Sequence, residues 1–404
     1  MNSIERKRSD ATIKPKVLFL LHAMNVGGVE KALLGLLSAL PIDKLNIHVG
    51  LLRKEGELLN EIPKGVTVHE INVYNKYMRE INDPPLQYIR LYAKKGQLIS
   101  AISFLIIHLL FKITNSRYWF YKFLLRNEPE YAEKYDVAVS FAGPSQMMDY
   151  YICQKVQASV KCCWIHFDVS KFGIDQGMAK RLYKTFKKIF IVSESGKRIF
   201  DEMFPSLRNR TQVFRNVVSS SDIVSQSFAS SALPEVCSGG VKLLTVGRIS
   251  IEKGQREALK ALKIMTENGI NAYWYFVGDG KDKNYCEKMA KELGIAHRAI
   301  FVGNKANPYV YMRTCDVYVQ PSRHEGFCLT LAEALCFEMP IVVTDFTGAR
   351  EQLRNRTNSI VCGMGENAIA EAIVKGMKMP KCRAILSNTT SVKPFMELVE
   401  GSMA

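Results

Sequence analysis

The chain has 404 residues, 47% of them hydrophobic, and a formal net charge of +16. That is enough for two domains of ordinary size with substantial cores, and the charge favours polyanionic or membrane-surface partners, or serves simple solubility. The ten cysteines are scattered without the close pairing of a zinc site, which leaves buried thiols in a reducing compartment, and residues 1–16 are charged without the apolar core of a signal peptide.

Lys16–Leu21 reads as the first strand, followed by the turn HAMNVGGVE and a helix from Lys31 to Leu40. Strand, glycine turn and helix in that order make a Rossmann-type opening, in which Gly27 and Gly28 let backbone amides approach an anion. It is neither GxGxxG nor a Walker loop, and a double glycine after a strand is by itself often only a tight turn. Strands follow at Ile47–Leu52, Val66–Ile71, Asp136–Ser140, Ala158–Ile165 and Lys188–Val192, several of them separated by helical text. A parallel sheet with crossovers is the economical fold. FAGPS (141–145) and WIHFD (164–168) each follow a strand end, which places His166 and Asp168 toward a cleft. His166 there is either a ligand contact or a structural histidine bonded to backbone. Ser193 and Ser195 are candidate caps of the next helix.

Residues 75–130 form an unusual insert. Its centre, Leu98–Ile113, is apolar but short for a membrane span, and His108 and Lys112 interrupt it. Arg90, Lys94, Lys95, Arg117, Lys122 and Arg126 flank it together with aromatic residues. That pattern fits an amphipathic element lying in an anionic membrane interface, and equally a buried helix with a solvated basic edge. Residues 219–240, rich in Ser, Ala, Pro and Gly, read as a linker between a first domain (1–218) and a second (241–404).

The second half repeats the strand–turn–helix scheme. Val241–Val246 leads into GRISIEKGQREAL, where Arg248 and Lys253 are cationic groups on the ligand side. Ala272–Val277 ends at Gly278, Ile300–Val302 leads to an Asn304–Asn307 loop, and Tyr309–Arg313 opens a helix. A strand from Val317 is stopped by Pro321, Gly326 gives a turn, and Thr330–Phe337 reads as a helix. Glu325 and Glu333, with seven residues between them, sit in that loop and helix, at the strand end where open α/β sheets bind ligands. Spacing alone also allows two solvated carboxylates. The text after Ile360 holds a short helix, Glu366–Lys378, a polar stretch, Ser387–Lys393, and PFMELVEG.

The Glu325–Glu333 stretch, with EALCFEMPIVVTDFTGARE after it, resembles the paired-glutamate signature of retaining, nucleotide-sugar-dependent glycosyltransferases of group 1 (family 4). The resemblance covers about 241–351 well and the first half in patches. It implies an α/β GT-B fold, two Rossmann-like domains facing across a cleft. It implies that Arg248 and Lys253, in a segment similar to the family's GRLxxxKG, hold the donor diphosphate. Glu325 would contact the transferred sugar and Glu333 the ribose. Gly326, Phe327, Cys328, Leu329 and Thr330 would line sugar and phosphate, at a helix N-terminus. Gly278 and Asn304 would border the nucleotide, Gly27 and Gly28 the cleft beneath the diphosphate, and His166 the sugar's 6-hydroxyl. Family members also finish with a helix that crosses back to the first domain, for which PFMELVEG is short. At Asn216 the chain departs from the family's xPNGVD, having Arg215 and Val217 for the proline and glycine.

The implied reaction is transfer with retention, by a front-face route in which the leaving diphosphate takes the acceptor's proton. No metal or other cofactor is implied. The donor would be a UDP-sugar by frequency within the class. The acceptor would be a lipid-linked or cell-surface glycan, and the location cytoplasmic, at the inner face of the cell membrane. A nucleotide-sugar epimerase on the same fold and a non-enzymatic nucleotide-binding scaffold are the alternatives. Nucleic-acid binding is suggested by charge alone, with no supporting motif.

Overall fold

The computed structural model describes residues 14–171, 174–228, 239–382 and 391–403. Two parallel sheets organise them. The first runs β3-β2-β1-β4-β5-β6-β7, with β1 Lys16–Leu21, β2 Asn46–Leu51, β3 Thr67–Glu70, β4 Lys134–Gly143, β5 Gln157–Ile165, β6 Lys188–Ile191 and β7 Thr211–Val213. The second runs β10-β9-β8-β11-β12-β13, with β8 Val241–Val246, β9 Ala272–Val277, β10 Ala299–Gly303, β11 Val317–Gln320, β12 Ile341–Thr344 and β13 Ser359–Cys362. The central strands are near-continuous apolar runs because helices cover both faces; Val17–Leu21 and Ile341–Val343 are almost fully buried. The strand order reverses between β1 and β4 and between β8 and β11, so each sheet opens a crevice at the carboxyl ends of those pairs.

The expected strands are present, and the differences lie at their ends. β4 extends through Gly143, so the first residues of FAGPS are strand, and the sequence reading missed the short strands β7 and β13. Helix Gly28–Ala39 begins three residues before the expected start, with Gly27 as its extended N-cap. The helix expected at Thr330–Phe337 is only Leu329–Ala334.

Two boundaries need correction. The first part of the expected linker is a helix, Ser220–Gln226, whose Ile223 packs in the second domain's core. Gln226 and Ser227 carbonyls accept hydrogen bonds from Asn307 Nδ2 (2.9 Å) and Arg313 Nε (3.0 Å). The rest of that linker, 229–238, lies outside the described residues, as do the polar stretch through residue 390 and the N-terminal 1–13. The last helix, Lys393–Glu400, was assigned to the second domain but packs into the core of the first. Phe395 is fully buried, with its ring 5.5 Å from that of Phe19 and 6.0 Å from that of Trp164. Its residues thereby tie the end of the second domain to the start of the first.

The insert is a set of short helices around one long one, Leu98–Thr114. That helix buries Ala101, Phe104 and Ile107, with Phe104 among Tyr88, Tyr92 and Phe123. Leu98, Ile99, Ile102, Leu105, Ile106, Leu109, Leu110 and Ile113 remain exposed. No helix among the described residues is long and apolar enough to cross a membrane.

Candidate functional site

The loops after β8 and β11 build the centre. Ile251–Lys253 makes a single 3-10 turn that ends at Gly254 in the left-handed conformation (φ 73°). A Cβ on Gly254 would lie 1.9 Å from the Pro321 carbonyl oxygen, so glycine permits the two loops to touch. That contact aims Lys253 at Glu325. The ammonium lies 2.7 Å from both carboxylate oxygens. Ser322 Oγ (2.7 Å) and Gln320 Nε2 (3.4 Å) also donate to Glu325 Oε1. Glu325 is 7% exposed, and its charge is matched on the spot. Burial depresses the Lys253 pKa, but Glu325 and other local interactions outweigh it, so the net shift is upward.

Glu333 stands one helical step beyond. It is 3% exposed. Its Oε1 accepts from Tyr309 Oη (3.0 Å) and Lys31 Nζ (3.4 Å), and its Oε2 is buried without a partner among the described residues. Burial, then the neighbouring Glu333, pushes the Tyr309 phenol far above its usual range, which keeps it a donor. Cys328, at φ 46°, is a non-glycine residue in the left-handed region just before this helix, a strained turn between the two glutamates. Burial raises its thiol, so it is an inert packing group.

The first domain closes against this turn. A Cβ on Gly326 would lie 1.9 Å from the His166 carbonyl oxygen, and Ser193 Oγ donates to the Gly326 carbonyl (3.3 Å). Phe327 joins the hydrophobic core of the first domain, and its carbonyl accepts from Gln352. His166 packs against Phe141, and its Nε2 is buried without a partner among the described residues. Burial lowers its pKa to about 3, so the imidazole stays neutral. Asp168 is not free for chemistry: it accepts from Ser170 and, across the domains, from Thr347 Oγ1 (2.7 Å). Arg215, standing where the family motif has proline, pairs instead with Glu351 of the second domain at 2.6 Å.

The remaining predicted residues frame the centre. Gly27 and Gly28 start the first helix, and nothing lies within 4 Å of a Cβ on Gly28, so that edge is open to a ligand. Burial raises the Glu30 carboxyl above its usual value, against the opposing pull of its own backbone amide and the Arg248 charge. Arg248 itself is exposed. Gly278 (φ 144°) serves packing: a Cβ there would sit 2.1 Å from the Gly247 carbonyl oxygen, so it supports the loop that carries Arg248. Asn304 is exposed at the end of β10. Leu329 is half-buried, and Thr330 Oγ1 reaches Gln320 at 3.5 Å. Sequence reasoning missed Lys31, Tyr309, Gln320 and Ser322 as site residues. Ser322 and Gln320 stand within five residues of Glu325, so a count of polar groups around it would have found them. A separate cluster, His48, His69 and Glu133, lies toward the amino-terminal ends of β2 and β4. His48 hydrogen-bonds His69 (2.6 Å) and Asn46, Glu133 lies 3.4 Å from His48, and Lys16 sits 3.2 Å from Glu133.

Over 96% of its length the chain superposes on Anabaena HepE in complex with UDP and glucose (TM-score 0.61, 18% identity, 98% of that chain). It superposes equally on Staphylococcus aureus TarM (TM-score 0.65, 11% identity, 99% of that chain). The fold is GT-B. The glycosyl transferases group 1 family model matches residues 237–391, the GT-B domain that carries Arg248, Lys253, Glu325 and Glu333. An uncharacterized glycosyltransferase of Methanocaldococcus jannaschii is 28% identical over 43% of the chain and 44% of its own length. The capsular polysaccharide biosynthesis glycosyltransferase CapM of Staphylococcus aureus is 28% identical over 32% of the chain and 35% of its own length. The matches thus span less than half the length of these curated relatives.

Proposed function

We propose that this chain is a retaining family 4 glycosyltransferase that moves a sugar from a nucleotide-sugar, a UDP-sugar, to a lipid-linked or cell-surface glycan. The observation that carries the reading is the pairing of two buried carboxylates on either side of one turn, only one of them neutralised within its own domain. Glu325, held by Lys253, would accept from a sugar hydroxyl, and Glu333, with one buried oxygen that has no partner among the described residues, would accept from a ribose hydroxyl. Lys253 and Arg248 would supply the counter-charge that a departing diphosphate needs. Both carboxylate oxygens of Asp168 and of Glu325 already accept hydrogen bonds within the protein, which argues against either as the nucleophile. That supports a front-face route in which the diphosphate takes the acceptor's proton. The same two cations support a reaction without metal, for which unchanged turnover in EDTA is the expected result. His166, neutral and without a partner at Nε2 among the described residues, would hydrogen-bond the transferred sugar.

We propose further that the chain works at the cytoplasmic face of the membrane. The Leu98–Thr114 helix is 17 residues long, about 25 Å at the usual rise, and presents eight large apolar residues to solvent. Exposed Arg90, Lys94, Lys95, Lys112, Lys122 and Arg126 surround it, and Trp119, 36% exposed, lies beside Lys122. An apolar face with a basic and aromatic margin fits an anionic bilayer surface.

Calorimetric titration of UDP and GDP into wild type and Glu333→Ala tests the donor reading. Tight UDP binding that weakens about tenfold or more in the variant is expected, since a hydrogen bond to a charged partner is lost. Absence of binding by either nucleotide to the folded wild type would refute it and favour a scaffold role.

A further inference from the structure

The donor-site reading assigns Glu333 to the second domain's nucleotide seat, yet its counter-charge does not come from that domain. Among the described residues, Lys31 is the one cation within 4.0 Å of the Glu333 carboxylate, and it belongs to the first helix of the first domain. Glu333 is 3% exposed and the Lys31 side chain 17%, so the contact is largely shielded from water. The ammonium and the Tyr309 phenol both reach the same oxygen, Oε1, and the ammonium also lies over the Tyr309 ring, 5.3 Å from its centroid. Together they fix the rotation of the carboxylate and leave Oε2 buried and without a partner among the described residues. Lys31 is placed by the glycine turn, because its backbone N–H donates to the Gly27 carbonyl (3.1 Å) and closes the first helical turn.

We propose that Lys31 is a positioning residue for the donor ribose. It orients Glu333 from the opposite domain, so that the second domain binds the nucleotide fully only with the first domain in place. This rests on the donor-site reading above. The double glycine then has a second task besides leaving room for a ligand: it sets the register that brings Lys31 across the cleft. A buried carboxylate without its cation is poorly placed and costly to desolvate, so the ribose would lose its acceptor when Lys31 is withdrawn.

The discriminating experiment compares UDP with 2′,3′-dideoxy-UDP by calorimetry on wild type, Lys31→Met and Lys31→Arg, each first shown to be folded at the assay temperature by a cooperative melt above it. Guanosine nucleotides replace them if the wild type binds only GDP. In wild type, removal of the hydroxyls should weaken binding. In Lys31→Met the full nucleotide should bind about tenfold or more weaker, the size of a lost charged hydrogen bond, while the dideoxy nucleotide changes little. Lys31→Arg should restore most of the difference. Equal weakening of both nucleotides would mean that Lys31 serves the diphosphate, and unchanged binding that the contact is idle; either overturns the proposal. A wild type that binds neither nucleotide overturns the donor-site reading itself and this inference with it, an outcome separable from the other two.

Discussion

Substitution of Lys253 by Met separates two roles that the geometry superimposes. The ammonium makes two 2.7 Å contacts with Glu325, a residue only 7% exposed. Removing one member of a buried pair costs about 3–5 kcal/mol, because the other charge is left without compensation. Two features reduce that figure here. The Lys253 side chain is 27% exposed, and Glu325 retains hydrogen bonds from Ser322 and Gln320. A loss of about 2 kcal/mol is therefore expected, or roughly 4–8 °C in the melting of a domain of this size. Lys253→Met/Glu325→Gln should recover most of the stability, since the amide still accepts from Ser322 and leaves no buried charge. Activity should not recover. Loss of one transition-state charge partner lowers turnover by about a hundredfold or more, and the double variant still lacks the cation. Calorimetric melting and donor turnover, measured on wild type and the two variants, give both answers. A single variant that melts like wild type would refute the energetic argument. A double variant that regains turnover would show that Lys253 only neutralises Glu325 and that its diphosphate role is wrong. The upward shift of Lys253 fixes the pH window: its stabilisation is intact below about 10.5 and declines as pH rises through the folded value.

Two further outcomes are expected. Ile99 and Ile113 are 84% and 80% exposed, so Ile99→Ser/Ile113→Ser should leave melting unchanged while cutting sedimentation with anionic vesicles by about tenfold or more, given about 1.5–3 kcal/mol per fully buried isoleucine. Undiminished vesicle binding would remove that helix from the membrane contact. His166 resists protonation until about pH 3 while its unfolded form titrates near 6.5, so its own contribution to stability should fall by about 1.4 kcal/mol per pH unit as pH drops from 6.5 to 3. Asp149, pushed up to about 6 by burial, acts in the opposite sense: its contribution is present below about 3.8 and lost as pH rises through 6. Because His166→Gln leaves Asp149 in place, it should lose about 2 kcal/mol less than wild type between pH 7 and 5 in urea unfolding. An equal loss in both would contradict the buried neutral imidazole.

The residues of the second domain's centre were legible because they are close in sequence and tied to local structure. An apolar run stopped by Pro321, a glycine turn and a short helix place Glu325 and Glu333 without knowledge of any partner, and GRISIEKG does the same for Arg248 and Lys253. Periodicity likewise gave the strands, since a fully buried parallel strand must be apolar on both faces. The edges were less legible: β7 and β13 are three and four residues long, too short for a period to register.

Only the tertiary structure decided how the halves meet. Lys31 and Glu333 are 302 residues apart, and nothing local to either encodes an ion pair. PFMELVEG is an amphipathic helix wherever it lies; its choice of the first domain depends on the hole that Phe19, Trp164 and Phe190 leave for Phe395. Leu98–Ile113 reads identically whether its apolar face meets a core or solvent, and the structure shows that the insert covers only the Phe104 side. Sequence pattern specifies which side chains avoid water and with what repeat. It does not specify the surface against which they do so, because that surface is assembled from distant segments only when the chain has folded.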